Sequence, residues 1–279
     1  MKVYIQSNRY QSIAANVAKY SFERFGCEVN IMSVENNDLL KKNFNKKILR
    51  NKQETLYKDD LQSFTLLRFL APELDNFENK ILVIDPDIFA LKSPKDLMEK
   101  FNNNDSNLAC TFYNEIARSE MMVINSNKIS WKFENIINDL FNFKVDYSQL
   151  MKLNFDNSLK ILQIEKKYNT HDILDKNTVL LHTTNRITQP WKIGLDIDFE
   201  RYYSKRYIVK EYLKKLMFKR YDQNALSRKY MLHKNKDVFD IICKLFKEAY
   251  NLKYITNEML NSSINNNYIS RKFCEIAKI

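Results

Sequence analysis

Hydrophobic and polar positions change period several times along this chain, and each change marks an element. Lys2–Gln6 (KVYIQ) is a short apolar run ending at the polar Ser7-Asn8-Arg9, which predicts a strand running into a loop. From Ser12 the apolar residues fall at 13, 17, 20/22 and 25, close to helical period, and Gly26 follows as a stop. Glu28–Val34 alternates as a strand, and the Asn- and Lys-rich residues 35–58 predict a variable polar excursion. Asp60–Leu70 predicts a helix ending at Ala71-Pro72, because a residue before proline avoids the helical region. Lys80–Ile84 (KILVI) is the continuous apolar run of a strand buried on both faces, and it ends at Asp85-Pro86-Asp87. Ser93-Pro94 predicts an N-cap with proline at the first helical position, opening a helix over Lys95–Phe101. Strands at Leu108–Thr111, Met121–Asn125, Leu159–Ile164 and Thr178–His182 and a helix over Ser130–Phe141 continue the series. Strands alternating with helices predict an α/β fold with a mostly parallel central sheet flanked by helices.

Beyond about residue 200 the pattern becomes helical and basic. Arg201–Arg220 carries apolar residues at 208, 209, 212, 213, 216 and 217, with eight Lys/Arg among its other positions. Asp237–Tyr250 predicts a second helix, and the asparagine-rich patches 102–107 and 261–267 predict exposed loops. Two domains are expected, 1–199 and a helical C-terminal region over 200–279.

Composition narrows the functional classes. The 279 residues are 44% hydrophobic and 13% aromatic, enough for a packed core. A net charge of +11 favours anionic partners such as nucleic acid, lipid headgroups or phosphorylated ligands without choosing among them. The start lacks a signal-peptide apolar stretch, and no run of about 18 apolar residues occurs. Cys27, Cys110, Cys243 and Cys274 form no CxxC pair, so buried thiols in a reducing, cytoplasmic setting are expected. With only Gly26 and Gly194 present, neither GxGxxG nor GxxxxGK[ST] can be built. Phosphates bound here would have to be met by a metal or by basic side chains.

Two features carry chemistry. Asp85 and Asp87, with Pro86 fixing φ between them, follow a buried strand at the edge where open α/β sheets bind ligands. Such a pair can face one hard cation that keeps positions open for phosphates, although Asp and Pro are also plain turn formers. His182, at the end of a strand and beside a Thr-Thr-Asn loop, is a ligand type suited to Mn²⁺, or simply a structural histidine.

Taken in order, these segments carry a resemblance. SFTLLRFLAPELDNFENKILVIDPDIFAL (63–91) resembles the donor-site core of family-8-type GT-A glycosyltransferases, in which an arginine precedes an apolar-Pro-Glu-Leu segment and a strand ends in D-x-D. HTTNRITQPWK (182–192) is similar to that family's His-x-x-Gly-x-x-Lys-Pro-Trp segment, and SEMMVIN (119–125) to the strand after its Asn-Ser-Gly. The opening VYIQSNRYQSIAANVAKYS resembles its first strand, nucleotide loop and helix, so the likeness covers roughly residues 1–195. The resemblance implies a GT-A fold and a retaining, metal-dependent transfer of a hexose from a nucleotide-sugar, UDP-linked before GDP-linked. It implies that Asp85, Asp87 and His182 bind Mn²⁺ or Mg²⁺, and that Arg68 reaches the donor or one of the acidic ligands. Ile5, Gln6 and Asn8 would lie by base and ribose, Asn125 and Gln149 near the sugar and acceptor, and Arg186 or Lys192 by the phosphates. The chain departs from the family pattern at Asn8, Arg118, Glu120 and Gln189.

The expected acceptor is a glycan or lipid-linked glycan in surface polysaccharide or lipopolysaccharide synthesis. The basic helix offers peripheral contact with an anionic membrane face, or simply packs with its basic face solvated. Two other classes compete: a basic nucleic-acid-binding module, against which the dispersed charge and missing recognition motif speak, and a catalytically degenerate transferase-fold scaffold.

Overall fold

The computed structural model describes residues 1–44, 48–49, 55–56, 61–198, 209, 212–214, 216–217 and 228–279. These residues group into two compact units, Met1–His182 and Thr183–Ile279. The boundary expected at 199/200 lies outside the described residues.

The first unit runs β1 (Lys2–Ser7), α1 (Ser12–Glu23), β2 (Glu28–Ser33), α2 (Asp38–Asn43), β3 (Ile48–Leu49), β4 (Thr55–Leu56), a 3-10 segment (Ser63–Phe69), α3 (Ala71–Leu74), β5 (Lys80–Ile84), β6 (Ile88–Ala90), α4 (Lys95–Asn102), β7 (Leu108–Tyr113), β8 (Ile116–Asn125), α5 (Phe133–Phe141), α6 (Tyr147–Met151), β9 (Ile161–Gln163), β10 (Thr170–His171) and β11 (Leu180–His182). Six strands form the central sheet in the order β2-β1-β5-β8-β7-β9. β1 pairs parallel with β2 and β5, and β7 parallel with β9, whereas β8 runs antiparallel to both of its neighbours. The architecture is thus α/β with a mostly parallel sheet, as the alternation of elements predicts.

Both sheet faces are buried. Tyr4, Ile81, Val83, Met122 and Ile124 join one core with the 3-10 segment, α5 and α6. The alternate residues Val3, Ile5, Leu82, Ile84 and Val123 are also fully enclosed, and α1 lies against β1, β2 and β6. Period-2 alternation with both sets apolar is what two-sided burial requires.

Several expected boundaries move. The polar excursion after β2 contains α2, capped by the Asn37 side chain on the Leu40 N–H. The helix expected to stop at Ala71-Pro72 is a 3-10 segment followed at once by α3, with Pro72 in the first turn, where no N–H is needed. The N-cap of α4 is Pro94, one residue later than the expected Ser93. Thr178–His182 does not extend the central sheet. Its described strand, β11, pairs antiparallel with β6 and parallel with β10 in a separate three-stranded sheet.

The second unit contains α7 (Lys236–Asn251), α8 (Asn257–Asn265) and α9 (Arg271–Ala277). The asparagine-rich 261–267 is therefore helical through Asn265, since the Thr256 cap and an apolar stripe outweigh weak local propensity. Trp191 stacks on Phe246 at 5.6 Å, Phe246 meets Phe273 edge-on at 4.9 Å, and the Trp191 carbonyl accepts from Ser270 N at 2.7 Å. Trp191→Ala is expected to destabilise this unit by about 3–5 kcal/mol, read as a shift in a denaturant midpoint. The helix expected over 201–220 lies largely outside the described residues. Its described positions are helical, and Val209, Tyr212, Leu213, Leu216 and Met217 are each at least half exposed. No helix among the described residues is long and apolar enough to cross a membrane.

Candidate metal centre

β5 delivers Asp85 at its carboxyl end, and a turn through Pro86 carries Asp87 into β6, with Ile88 N donating to Asp85 O at 3.3 Å. β11 lies against β6 with His182 opposite Ile88. One ligand atom each from Asp85, Asp87 and His182 falls within 4.8 Å of the others, so the three can meet one cation. His182 Nε2 stands 3.3 Å from Asp87 Oδ1, and its Nδ1 lies 3.0 Å from Asn169 Oδ1. Asn169 Nδ2 donates to Thr111 Oγ1 at 3.1 Å, which orients the amide and leaves the oxygen to accept from the imidazole. Nδ1–H thus donates to Asn169 and turns Nε2 toward Asp87, so that Nε2 is the nitrogen a metal would take in place of its proton, an outer-shell arrangement common around ligating histidines.

The charges around this trio are paired, Asp85 with Arg68 and Asp87 with the His182 imidazole, but they are buried. Burial pushes the Asp85 carboxyl up to about 7 against the pull of Arg68 and His182. Burial opposes charge on His182 too, yet Asp87, Asp85 and Glu120 lift it to about 9. Two carboxylates and an imidazole in a dry setting form a donor set that a divalent cation relieves, and this fits Mn²⁺ or Mg²⁺.

Arg68, whose side chain is 3% exposed, takes the acidic-ligand role. It donates from Nη2 to Asp85 Oδ1 at 2.9 Å, from Nε to Gln6 Oε1 at 3.4 Å and from Nη1 to Ser119 Oγ. Gln6 Nε2 also donates to Asp85 Oδ1. Asn8 ties the loop after β1 to the 3-10 segment, donating to Leu61 O at 3.1 Å and Ser63 Oγ at 2.9 Å.

Asn125 and Gln149 of the first unit are not at this centre. Asn125 pairs with Lys80, the first residue of β5, at the far end from Asp85. Because β8 is antiparallel, its early residues reach the site: Asp85 N donates to Glu120 O at 2.9 Å. A register shift, with Cys110 opposite Met122 and Thr111 opposite Arg118, bulges Ser119–Met121 out of the β7 ladder beside Asp85. The Ile5 side chain is wholly enclosed in the core. Gln149 closes a capping box on α6, accepting from Asp146 N at 2.9 Å, so its amide oxygen is committed there. Arg186 and Lys192 belong to the second unit. Lys192 is fully buried, and its ammonium pairs with Asp198 Oδ2 at 2.7 Å.

Sequence reasoning missed Ser119, Glu120, Asn169 and His171. Glu120 is buried and receives Arg118 Nε at 2.9 Å, and the His171 and His182 rings meet edge-to-face at 5.3 Å. Against its burial, His171, His182 and Arg118 hold Glu120 below the usual carboxylate range. The available signal was the pair of departures Arg118 and Glu120, two charges within a strand of otherwise apolar character.

No known family model matches the sequence, and no curated relative of similar sequence is found. Among solved structures, the chain is similar to the galactosyltransferase LgtC in complex with donor and acceptor sugar analogues, at 11% identity over 68% of this chain and 89% of that one, with a TM-score of 0.46. It is also similar to mouse xyloside xylosyltransferase 1, at 11% identity over 66% of this chain and 97% of that one, TM-score 0.43. The bifunctional glycosyltransferase WbbM matches at 11% identity over 68% of this chain and 46% of that one, TM-score 0.45. Likenesses of this size do not bear on activity or on site residues.

Proposed function

We propose that the chain is a metal-dependent glycosyltransferase of GT-A type. In this reading it moves a hexose from a UDP-sugar, or less favourably a GDP-sugar, to a glycan or lipid-linked acceptor with retention of configuration. Surface polysaccharide or lipopolysaccharide synthesis is the fitting setting. The observation that carries the reading is the meeting of Asp85, Asp87 and His182 at the carboxyl end of β5, where open α/β sheets take ligands.

A cation held there would neutralise the donor's diphosphate and the charge that grows on it as the sugar leaves. The chain's own part is preorganisation. Arg68 and Gln6 hold Asp85 from one side, and Asn169 fixes the His182 tautomer from the other. Ligands set by their neighbours need little rearrangement when charge develops. With just two glycines in the chain, a glycine-rich phosphate loop is not available as a substitute.

The purified chain, incubated with a panel of UDP- and GDP-hexoses and Mn²⁺, is expected to release sugar from at least one donor. Chelation is expected to stop the release. Turnover of none of them with Mn²⁺ or Mg²⁺, or turnover that survives chelation, overturns the reading.

A further inference from the structure

His182 belongs to two ligand groups at once. Beside the Asp85–Asp87–His182 trio, one ligand atom each from Glu120, His171 and His182 also lies within 4.8 Å of the others. His171 Nε2 is buried, has no hydrogen-bond partner and stands 3.5 Å from Glu120 Oε1. Arg118 grips the Glu120 carboxylate from the other side, with Nε at 2.9 Å from Oε1 and 3.3 Å from Oε2, and so fixes its orientation. The bulge at Ser119–Met121 brings Glu120 to this place, and β10 lies parallel to β11 with His171 opposite His182. A groove of about 850 Å³ lined by His171, Asn169 and Arg118 gives an ion a path to it.

We propose that Glu120, His171 and His182 form a second metal position, distinct in preference from the first and exclusive with it. The first trio offers two carboxylates and one imidazole, which suits a hard ion such as Mn²⁺ or Mg²⁺. The second offers one carboxylate and two imidazoles, a donor set that suits Zn²⁺. Since Asn169 holds Nδ1 of His182, the ring has only Nε2 to give, and one cation at a time can use it. Zn²⁺ in the second position therefore takes His182 away from the first and weakens Mn²⁺ there. The position does not depend on the transferase reading, because it is defined by metal binding alone.

The test is calorimetry on the full chain with Zn²⁺ alone, Mn²⁺ alone, and Mn²⁺ in the presence of Zn²⁺, without nucleotide. His171→Ala is expected to weaken Zn²⁺ at least ~100-fold, the loss of a ligand costing no less than the loss of its outer-shell partner. The same variant is expected to leave Mn²⁺ within about threefold, which also shows that it folds. Asp87→Ala is expected to weaken Mn²⁺ and spare Zn²⁺, and Zn²⁺ is expected to abolish Mn²⁺ binding to the wild type. Zn²⁺ affinity unchanged in His171→Ala overturns the proposal, as does Zn²⁺ lost in Asp87→Ala to the same degree as Mn²⁺. Should His171→Ala lower both metals together, Glu120→Gln decides: Zn²⁺ loss alone supports the position, and loss of both refutes it.

Discussion

Asp87→Ala is expected to reduce Mn²⁺-dependent binding of a nucleoside diphosphate at least ~100-fold while leaving the chain folded. The substitution removes one of two carboxylates from a trio whose ligand atoms lie within 4.8 Å. An ion held by Asp85 and His182 alone keeps too little protein charge to compete with water, and the diphosphate then meets an uncompensated acidic pocket. The magnitude follows from metal affinity: changing an outer-shell partner costs roughly 10–100-fold, and losing a ligand costs no less. Folding is expected to survive because Asp87 sits in the turn between β5 and β6 and takes no part in their ladders. Calorimetry with UDP, with and without Mn²⁺, reads the effect. Equal Mn²⁺ dependence in variant and wild type would remove Asp87 from the site.

Arg68→Met is expected to cost about 3–5 kcal/mol of stability at pH 8 in the presence of chelator, the range for breaking a buried ion pair. Its guanidinium serves Asp85, Gln6 and Ser119 from an almost wholly enclosed position, and methionine fills the stem but removes all three bonds, leaving Asp85 with Gln6 Nε2 alone of these donors. The cost should depend on pH. Asp85 has a folded pKa raised to about 7, above the roughly 3.9 of a free aspartate. Between those values the folded chain binds more protons than the unfolded one, so stability falls as pH rises through the window. Without Arg68 the carboxyl is pushed higher still, and the window extends beyond pH 7. At pH 5 Asp85 is protonated in both proteins, and only the lost hydrogen bonds count, about 1–3 kcal/mol. Urea denaturation at pH 5 and pH 8 measures the difference. An identical penalty at both pH values would show that Arg68 serves packing and not Asp85.

Much of the first unit is written locally. KILVI predicts a strand enclosed on both sides, and β5 is that strand, with Ile81 through Ile84 all fully buried. The Asp85-Pro86-Asp87 end follows directly, because a run this apolar must stop where charge begins. Trp191 was noticed only as part of the 182–192 segment, and the aromatic stack that holds it needed the distant Phe246 and Phe273.

The reversal of β8 within a mostly parallel sheet was not legible, and it decided which residues reach the site. Periodicity reports how a strand is buried and is identical for parallel and antiparallel pairing. β7 and β8 are joined by a two-residue turn, Asn114-Glu115, with φ of 48° and 63°. That is the pair of left-handed residues a tight hairpin needs, here without the glycine that would have announced it. The resulting reversal places Glu120 beside Asp85 and sends Asn125 to the opposite end.

The sequence by itself determined the alternating α/β order, the buried β5 and the acidic pair that ends it, since each depends on neighbours within a few residues. Only the tertiary structure decided that β11 joins β6 in a second sheet, that His182 thereby meets Asp87, and that Glu120 and His171 stand beside them. It also decided that Lys192 spends its charge on Asp198. These outcomes rest on pairings between segments tens of residues apart, and local hydrophobic patterns hold no record of which strand a buried edge will find.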